Sequence, residues 1–139
     1  MNGIGKKRFR VALDFDNTVV MDSLYDKTIV GNPVPFALYW IEKWQEAGAE
    51  IYLWTMRGRE GSDVDSLTPA VKYLWENGIK LDGVNRGEQP WTDSPKLFAQ
   101  VYVDNAAAGV PLIYPANGLP PYLDWTVVGP LVYKMIREW

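Results

Sequence analysis

Phe9-Arg10-Val11-Ala12-Leu13-Asp14-Phe15 decides the fold: it is a short β-rich run ending in acid, the pattern of a buried parallel strand. Downstream, Phe36 to Gly48 has helical period, with Ala37, Trp40, Ile41, Trp44 and Ala47 on one face and Glu42, Lys43 and Glu46 facing away. Pro35 near its start and Gly48 at its end fit the usual helix asymmetry. Ile51-Tyr52-Leu53-Trp54 reads as a second strand closed by Thr55. A second helix runs from Thr68-Pro69 to Asn77-Gly78, with Val71, Leu74 and Trp75 inward, followed by a short strand around Leu81 to Asn85. A polar loop with Gly and Pro passes Pro95-Lys96 and reaches the strand Val101-Tyr102-Val103, which ends at Asp104. The remainder holds Pro111-Leu112-Ile113-Tyr114, Asp124-Trp125-Thr126-Val127-Val128 and a terminal helix from about Pro130.

Strands alternating with helices argue for βαβ units. The expectation is one α/β, Rossmann-like domain over 1–139 in three layers, with a central parallel sheet of about five strands and the first strand in the middle. Trp40, Trp44 and Trp75 are read as core; Trp91, in the polar loop, is the tryptophan to watch.

Composition removes several chemistries. The chain has 139 residues, 47% of them hydrophobic, which suits a sizeable core, and its formal charge is 14 minus 17, or −3. Lys6-Lys7-Arg8 is short and reads as a solvated tail, so no nucleic-acid patch is evident. The chain has no Cys and no His, which excludes disulfides, thiolate nucleophiles, Cys/His zinc sites and His general bases. No apolar run approaches the ~20 residues of a membrane span and no signal-peptide core is visible, so the expected location is the cytoplasm.

Three presumed strands end in polar residues: Asp14 with Asp16, then Thr55, then Asp104. In an open α/β sheet the ligand crevice lies at the carboxyl ends of the strands, so these residues should converge, with Lys96 in reach. Carboxylates, a hydroxyl and an ammonium suit phosphoryl transfer. Asp14 and Asp104 can hold Mg²⁺, a hard cation served by oxygen ligands. Metal and Lys96 would neutralise phosphate oxygens and keep Asp14 ionised, ready to attack phosphorus. Asp16 can give a proton to the leaving group and later take one from water. Thr55 can bond a phosphate oxygen, and the amides after Asp14 form an anion nest.

Val11-Ala12-Leu13-Asp14-Phe15-Asp16-Asn17-Thr18-Val19 resembles the first motif of the haloacid dehalogenase (HAD) superfamily, an apolar strand followed by DxDxT or DxDxV. Leu53-Trp54-Thr55 resembles the second motif, Lys96 fits the third, and Tyr102-Val103-Asp104-Asn105 resembles the fourth. The resemblance implies a Mg²⁺-dependent phosphatase or phosphotransferase. Asp14 would be nucleophile and metal ligand, and Asp16 acid/base with its backbone carbonyl on the metal. Thr55 and Lys96 would hold the phosphoryl group, and Asp104 would anchor the metal. Apart from the resemblance, Asn17 is a candidate substrate contact, and Arg57, two residues past Thr55, could reach a substrate. Arg59, Arg86 and Asn85 compete for such contacts. The fourth motif departs from the pattern: Asn105 stands where a second acid often lies, which suggests a metal-bound water or weaker metal affinity.

Competing readings keep some of these residues. A non-catalytic metal- or phosphate-binding module would be expected with a broken motif, and none of the five is missing. A receiver domain orders its acids differently, and a nuclease would leave Thr55 and Lys96 idle. The stretch Asn17 to Asn32 has room for a flap containing Tyr25 and Lys27 but not for a folded cap. An open crevice implies either broad activity on phosphorylated small molecules or selectivity supplied by a larger phosphorylated substrate or a neighbouring subunit of a homo-oligomer.

Overall fold

The computed structural model describes residues 8–24, 26–59 and 64–139. Lys6, Lys7 and Tyr25, singled out above, lie outside the described residues.

Four strands form a parallel sheet: β1 (Arg10–Leu13), β2 (Glu50–Leu53), β3 (Gly83–Val84) and β4 (Val101–Val103), in the order β3-β2-β1-β4. β1 is central, as expected. Leu13 pairs with Leu53 on one side and Val103 on the other, so the residues after each leave the sheet at one edge.

Helix α1 (Ala37–Glu46) connects β1 to β2, and α2 (Leu67–Glu76) connects β2 to β3. Both stop the same way. Gly48 at φ 102° and Gly78 at φ 78° take the left-handed conformation that side chains resist, and their amides bond Gln45 O at 2.9 Å and Trp75 O at 3.1 Å. The next amides, Ala49 and Ile79, return to Trp44 O at 3.0 Å and Leu74 O at 2.9 Å.

The C-terminal part departs from expectation. β5 (Leu112–Ile113) and β6 (Tyr122–Leu123) pair antiparallel with each other, so the parallel sheet has four strands, not five, among the described residues. Helix α3 (Trp125–Glu138) starts well before Pro130. The Asp124 side chain accepts from Thr126 N at 3.0 Å and Thr126 Oγ1 at 2.6 Å, and this cap outweighs the strand propensity of Val127 and Val128.

The three-layer expectation also needs correction. One face of the sheet (Val11, Leu13, Ile51, Leu53, Val103) packs in a single core with residues of all three helices: Ile41 and Trp44, Leu74, Val128 and Val132. The other face is a small cluster of Ala12, Tyr52 and Leu97, joined by Trp54 and Ala99. It is covered by the non-helical connection from β3 to β4, in which Gly87, Pro90 and Pro95 break any helical run.

Of the tryptophans, Trp44 and Trp125 are buried with ring centroids 5.0 Å apart, and Trp40 packs against Tyr133 at 6.1 Å. Trp75, expected inward, is 75% exposed because Leu67, Ala70 and Leu74 form the buried stripe of α2. Trp91 is exposed and meets Phe98 edge-on at 6.4 Å. Among the described residues, no helix is long and apolar enough to cross a membrane.

Candidate active site

The site begins where β1 runs out. Asp14 N donates to Val103 O at 3.0 Å, carrying the ladder one residue beyond the strand. The chain then coils on itself, with Val19 N on Phe15 O at 2.8 Å and Asn17 at φ 61°, a conformation Asn tolerates better than most side chains. This turn buries Thr18 completely. Its hydroxyl donates to Asp14 Oδ2 at 3.0 Å and accepts from Asn105 N at 3.0 Å. The acceptors around Asn105 fix its amide: Nδ2 donates to Asp14 Oδ2 at 2.9 Å and to the Asp16 carbonyl at 3.2 Å. Asp104 follows β4 and accepts from Ala106 N at 2.8 Å through its side chain.

Burial pushes the Asp14 carboxyl up to about 7, and the neighbouring Asp104 charge adds to the rise. The Thr18 hydroxyl and the Phe15 amide oppose it, and Asp16 contributes a smaller push upward. A buried acid raised by a neighbouring carboxylate marks a place where a cation is favoured. Among the described residues, no group of three acidic side chains is disposed to hold a metal, and neither Asp14 nor Asp104 has an ion-pair partner. Mg²⁺ keeps several waters and takes one or two carboxylates, so Asp14 and Asp104 with the Asp16 carbonyl suit it as a donor set.

Asp16 and Arg57 meet in a way the sequence did not suggest. Arg57 is only 4% exposed. Its Nε donates to Asp16 Oδ2 at 2.8 Å and Nη2 to Asp16 Oδ1 at 2.7 Å, a two-pronged ion pair. Nη2 also bonds Ile29 O at 3.2 Å, and Nη1 bonds Lys27 O at 2.8 Å and Ser66 O at 3.1 Å. All five guanidinium hydrogens are used, and the group stacks 5.0 Å from the Phe15 ring. The expectation that Arg57 binds substrate is therefore corrected: it has no donor to spare. The Asp16 carboxylate is turned to Arg57, so any share it has in a metal site falls to its backbone carbonyl.

Thr55 is two residues past the end of β2, one beyond the position level with Asp14. Its amide donates to Asn85 Oδ1 at 2.8 Å and its hydroxyl oxygen accepts from Arg57 N at 3.1 Å, leaving the hydroxyl hydrogen to give. Asn85, at φ 56°, thus braces Thr55 from the neighbouring strand. Asn17 Oδ1 accepts from Asp22 N at 3.0 Å, which leaves the amide nitrogen as the group it can offer a ligand. Lys96 is exposed, with Nζ 5.6 Å from the Tyr102 ring centroid. Tyr102 pairs with Ala12, two residues before Asp104 and Asp14 respectively, and no contact joins Lys96 to either acid among the described residues. Thr18, a donor to Asp14, received no role from the sequence. Thr18 was legible as the last position of DxDxT, but that its hydroxyl turns back four residues depends on the turn geometry.

No family model matches the chain, and no curated protein matches it. Among solved structures it is similar to a conserved protein from Bacteroides thetaiotaomicron. The two are 25% identical over 95% of this chain and 92% of that chain, with a TM-score of 0.64.

Proposed function

We propose that the chain is a Mg²⁺-dependent phosphohydrolase of the HAD type, acting on phosphate monoesters through an aspartyl-phosphate on Asp14. The observation that carries this reading is the meeting of Asp14 with Asp104 at adjacent strand ends, in register through Leu13 and Val103. Thr55 lies on the other side, from the strand paired through Leu53. When bound by Asp14 and Asp104, the metal supplies charge neutralisation for the phosphoryl oxygens and lowers the proton affinity of Asp14.

The chain's own residues do the rest. Thr18 and Asn105 donate to Asp14 Oδ2 and fix the carboxylate, which leaves Oδ1 as the oxygen to attack phosphorus. Asp14 forms a bond to phosphorus as the bond to the leaving oxygen breaks, and Asp16, which enters the cycle protonated on a lone pair that Arg57 leaves free, gives that oxygen its proton. Water then attacks phospho-Asp14, returns a proton to Asp16 and frees inorganic phosphate and the carboxylate. Arg57 occupies one lone pair on each Asp16 oxygen and leaves the others for this exchange. The Thr55 hydroxyl bonds a phosphoryl oxygen, and Lys96 reaches the same group by extending its stem.

The test is phosphate release from p-nitrophenyl phosphate and a panel of phosphate monoesters with Mg²⁺. Turnover that stops with chelator and falls by orders of magnitude in Asp14→Asn is expected. No release from any ester, or an unaltered Asp14→Asn rate, refutes the reading.

A further inference from the structure

We infer that Arg57 is a positioning residue that locks the flap to Asp16, making the flap a fixed wall of the crevice and not a lid. The base of the flap is already tight. Met21 N bonds Asn32 O at 2.7 Å, Val34 N bonds Val19 O at 2.8 Å, and a Cβ on Gly31 would lie 2.0 Å from Met21 O. Near its outer end, residues 27–29 are exposed or half-exposed, Ile29 by 55%, and their local bonds run within the flap, from Lys27 to Asp22 and from Thr28 and Ile29 to Asp26. Arg57 ties them to the rest of the domain, through the Lys27 and Ile29 carbonyls.

The same guanidinium grips both oxygens of Asp16 and, through Ser66 O, the residue before α2. One planar group therefore fixes three chain segments, and no prong can shift without loosening the others. Arg suits this and Lys does not, because an ammonium cannot present five donors in a plane. The carbonyls of Lys27 and Ile29 would lose a charged donor if Asp16 no longer anchored the plane. A substrate then meets a wall already in place, and the orientation of Asp16 depends on that wall.

This inference rests on the phosphohydrolase reading only for its kinetic arm. The structural arm measures amide hydrogen exchange at residues 27–32 against the β1 and β2 amides. Arg57→Lys and Asp16→Asn are each expected to speed flap exchange at least about tenfold, with strand protection near wild type. Flap protection that stays at wild type in either folded variant overturns the lock. The kinetic arm follows p-nitrophenyl phosphate with Mg²⁺. Arg57→Lys should lower kcat at least about tenfold with KM within about twofold, because Arg57 touches no substrate and acts through Asp16. A raised KM with unchanged kcat would make Arg57 a substrate ligand and overturn the positioning role. Absent turnover in the wild-type protein would refute the phosphohydrolase reading alone, and the exchange arm would still decide the lock.

Discussion

Trp125 Nε1 donates to the backbone carbonyl of Thr18 at 2.6 Å, joining the first turn of the last helix to the loop that carries Asp14. Trp125 is 1% exposed, so the bond is shielded from water. Trp125→Phe keeps a ring in the core but leaves that carbonyl without its donor. An unpaired buried acceptor costs about 1–3 kcal/mol, and the smaller ring adds a cavity term. A fall of several degrees in Tm is expected, with reduced turnover as Thr18 loses its brace. Unchanged melting in the Phe variant would show that the carbonyl finds another partner.

Thr18 itself separates shape from hydrogen bonding. Thr18→Val is nearly isosteric but removes both the donor to Asp14 and the acceptor for Asn105 N. Loss of about 1–3 kcal/mol is expected from the stranded amide, with a larger proportional drop in kcat as Asp14 loses a contact that fixes its carboxylate. Thr18→Ser keeps the hydroxyl and should retain most turnover while losing stability to the missing methyl. Equal rates in the Val and Ser variants would deny the hydroxyl a role.

Much of this arrangement was legible in the sequence where local chemistry and global fold agree. The run ending at Asp14 could only be a buried strand, and Gly48 and Gly78 marked helix ends because only a left-handed residue closes them. The failures come from tertiary choices. The connection from β3 to β4 was read correctly as a polar loop, but nothing local says that it packs on the sheet in place of a helical layer. Asp14, Thr55 and Asp104 follow the ends of neighbouring strands, as expected in any parallel sheet. Arg57 was misread because an arginine near a phosphate site invites a ligand role, and its five acceptors come from segments up to 41 residues away. At Asn105 the sequence suggested weaker metal affinity or a metal-bound water; the bond from its amide nitrogen to Asp14 depends on tertiary geometry.

Gly129 makes a helix interior depend on absence of a side chain. A Cβ there would lie 2.2 Å from Trp40 Cγ, and the Gly129 carbonyl accepts from Trp44 Nε1 at 3.0 Å. Helix propensity alone favours Ala over Gly by about 1 kcal/mol. Overpacking against a rigid indole costs about 1–3 kcal/mol, and Trp40 is itself hemmed in by Tyr39 at 5.2 Å and Tyr133 at 6.1 Å. The steric term should win, so Gly129→Ala is expected to lower the denaturation midpoint. A midpoint that rises would show that Trp40 swings clear of α3.

The acids at the crevice tie stability to pH and, on the proposed function, to metal. The Asp14 carboxyl titrates at about 7 in the folded chain against 3.8 as its ordinary value. Between those values the folded protein keeps a proton that the unfolded chain releases. The stability this carries is whole below the lower value and is lost as pH rises through the upper one. Roughly three pKa units correspond to about 4 kcal/mol, an order-of-magnitude figure. Without metal, wild-type protein should therefore lose Tm between pH 5 and pH 8 relative to Asp14→Asn, whose amide neither titrates nor repels Asp104. Mg²⁺ should reverse the loss, raising Tm more at pH 8 than at pH 5, because the ion favours the carboxylate that burial disfavours. Asp14→Asn should also be the more stable metal-free protein at pH 8 while being the less active one with Mg²⁺, the trade expected where a site is built for charge and not for folding. Parallel pH profiles for the two metal-free proteins would remove Asp14 as the source, and a Mg²⁺ shift of equal size in both would remove it as a ligand.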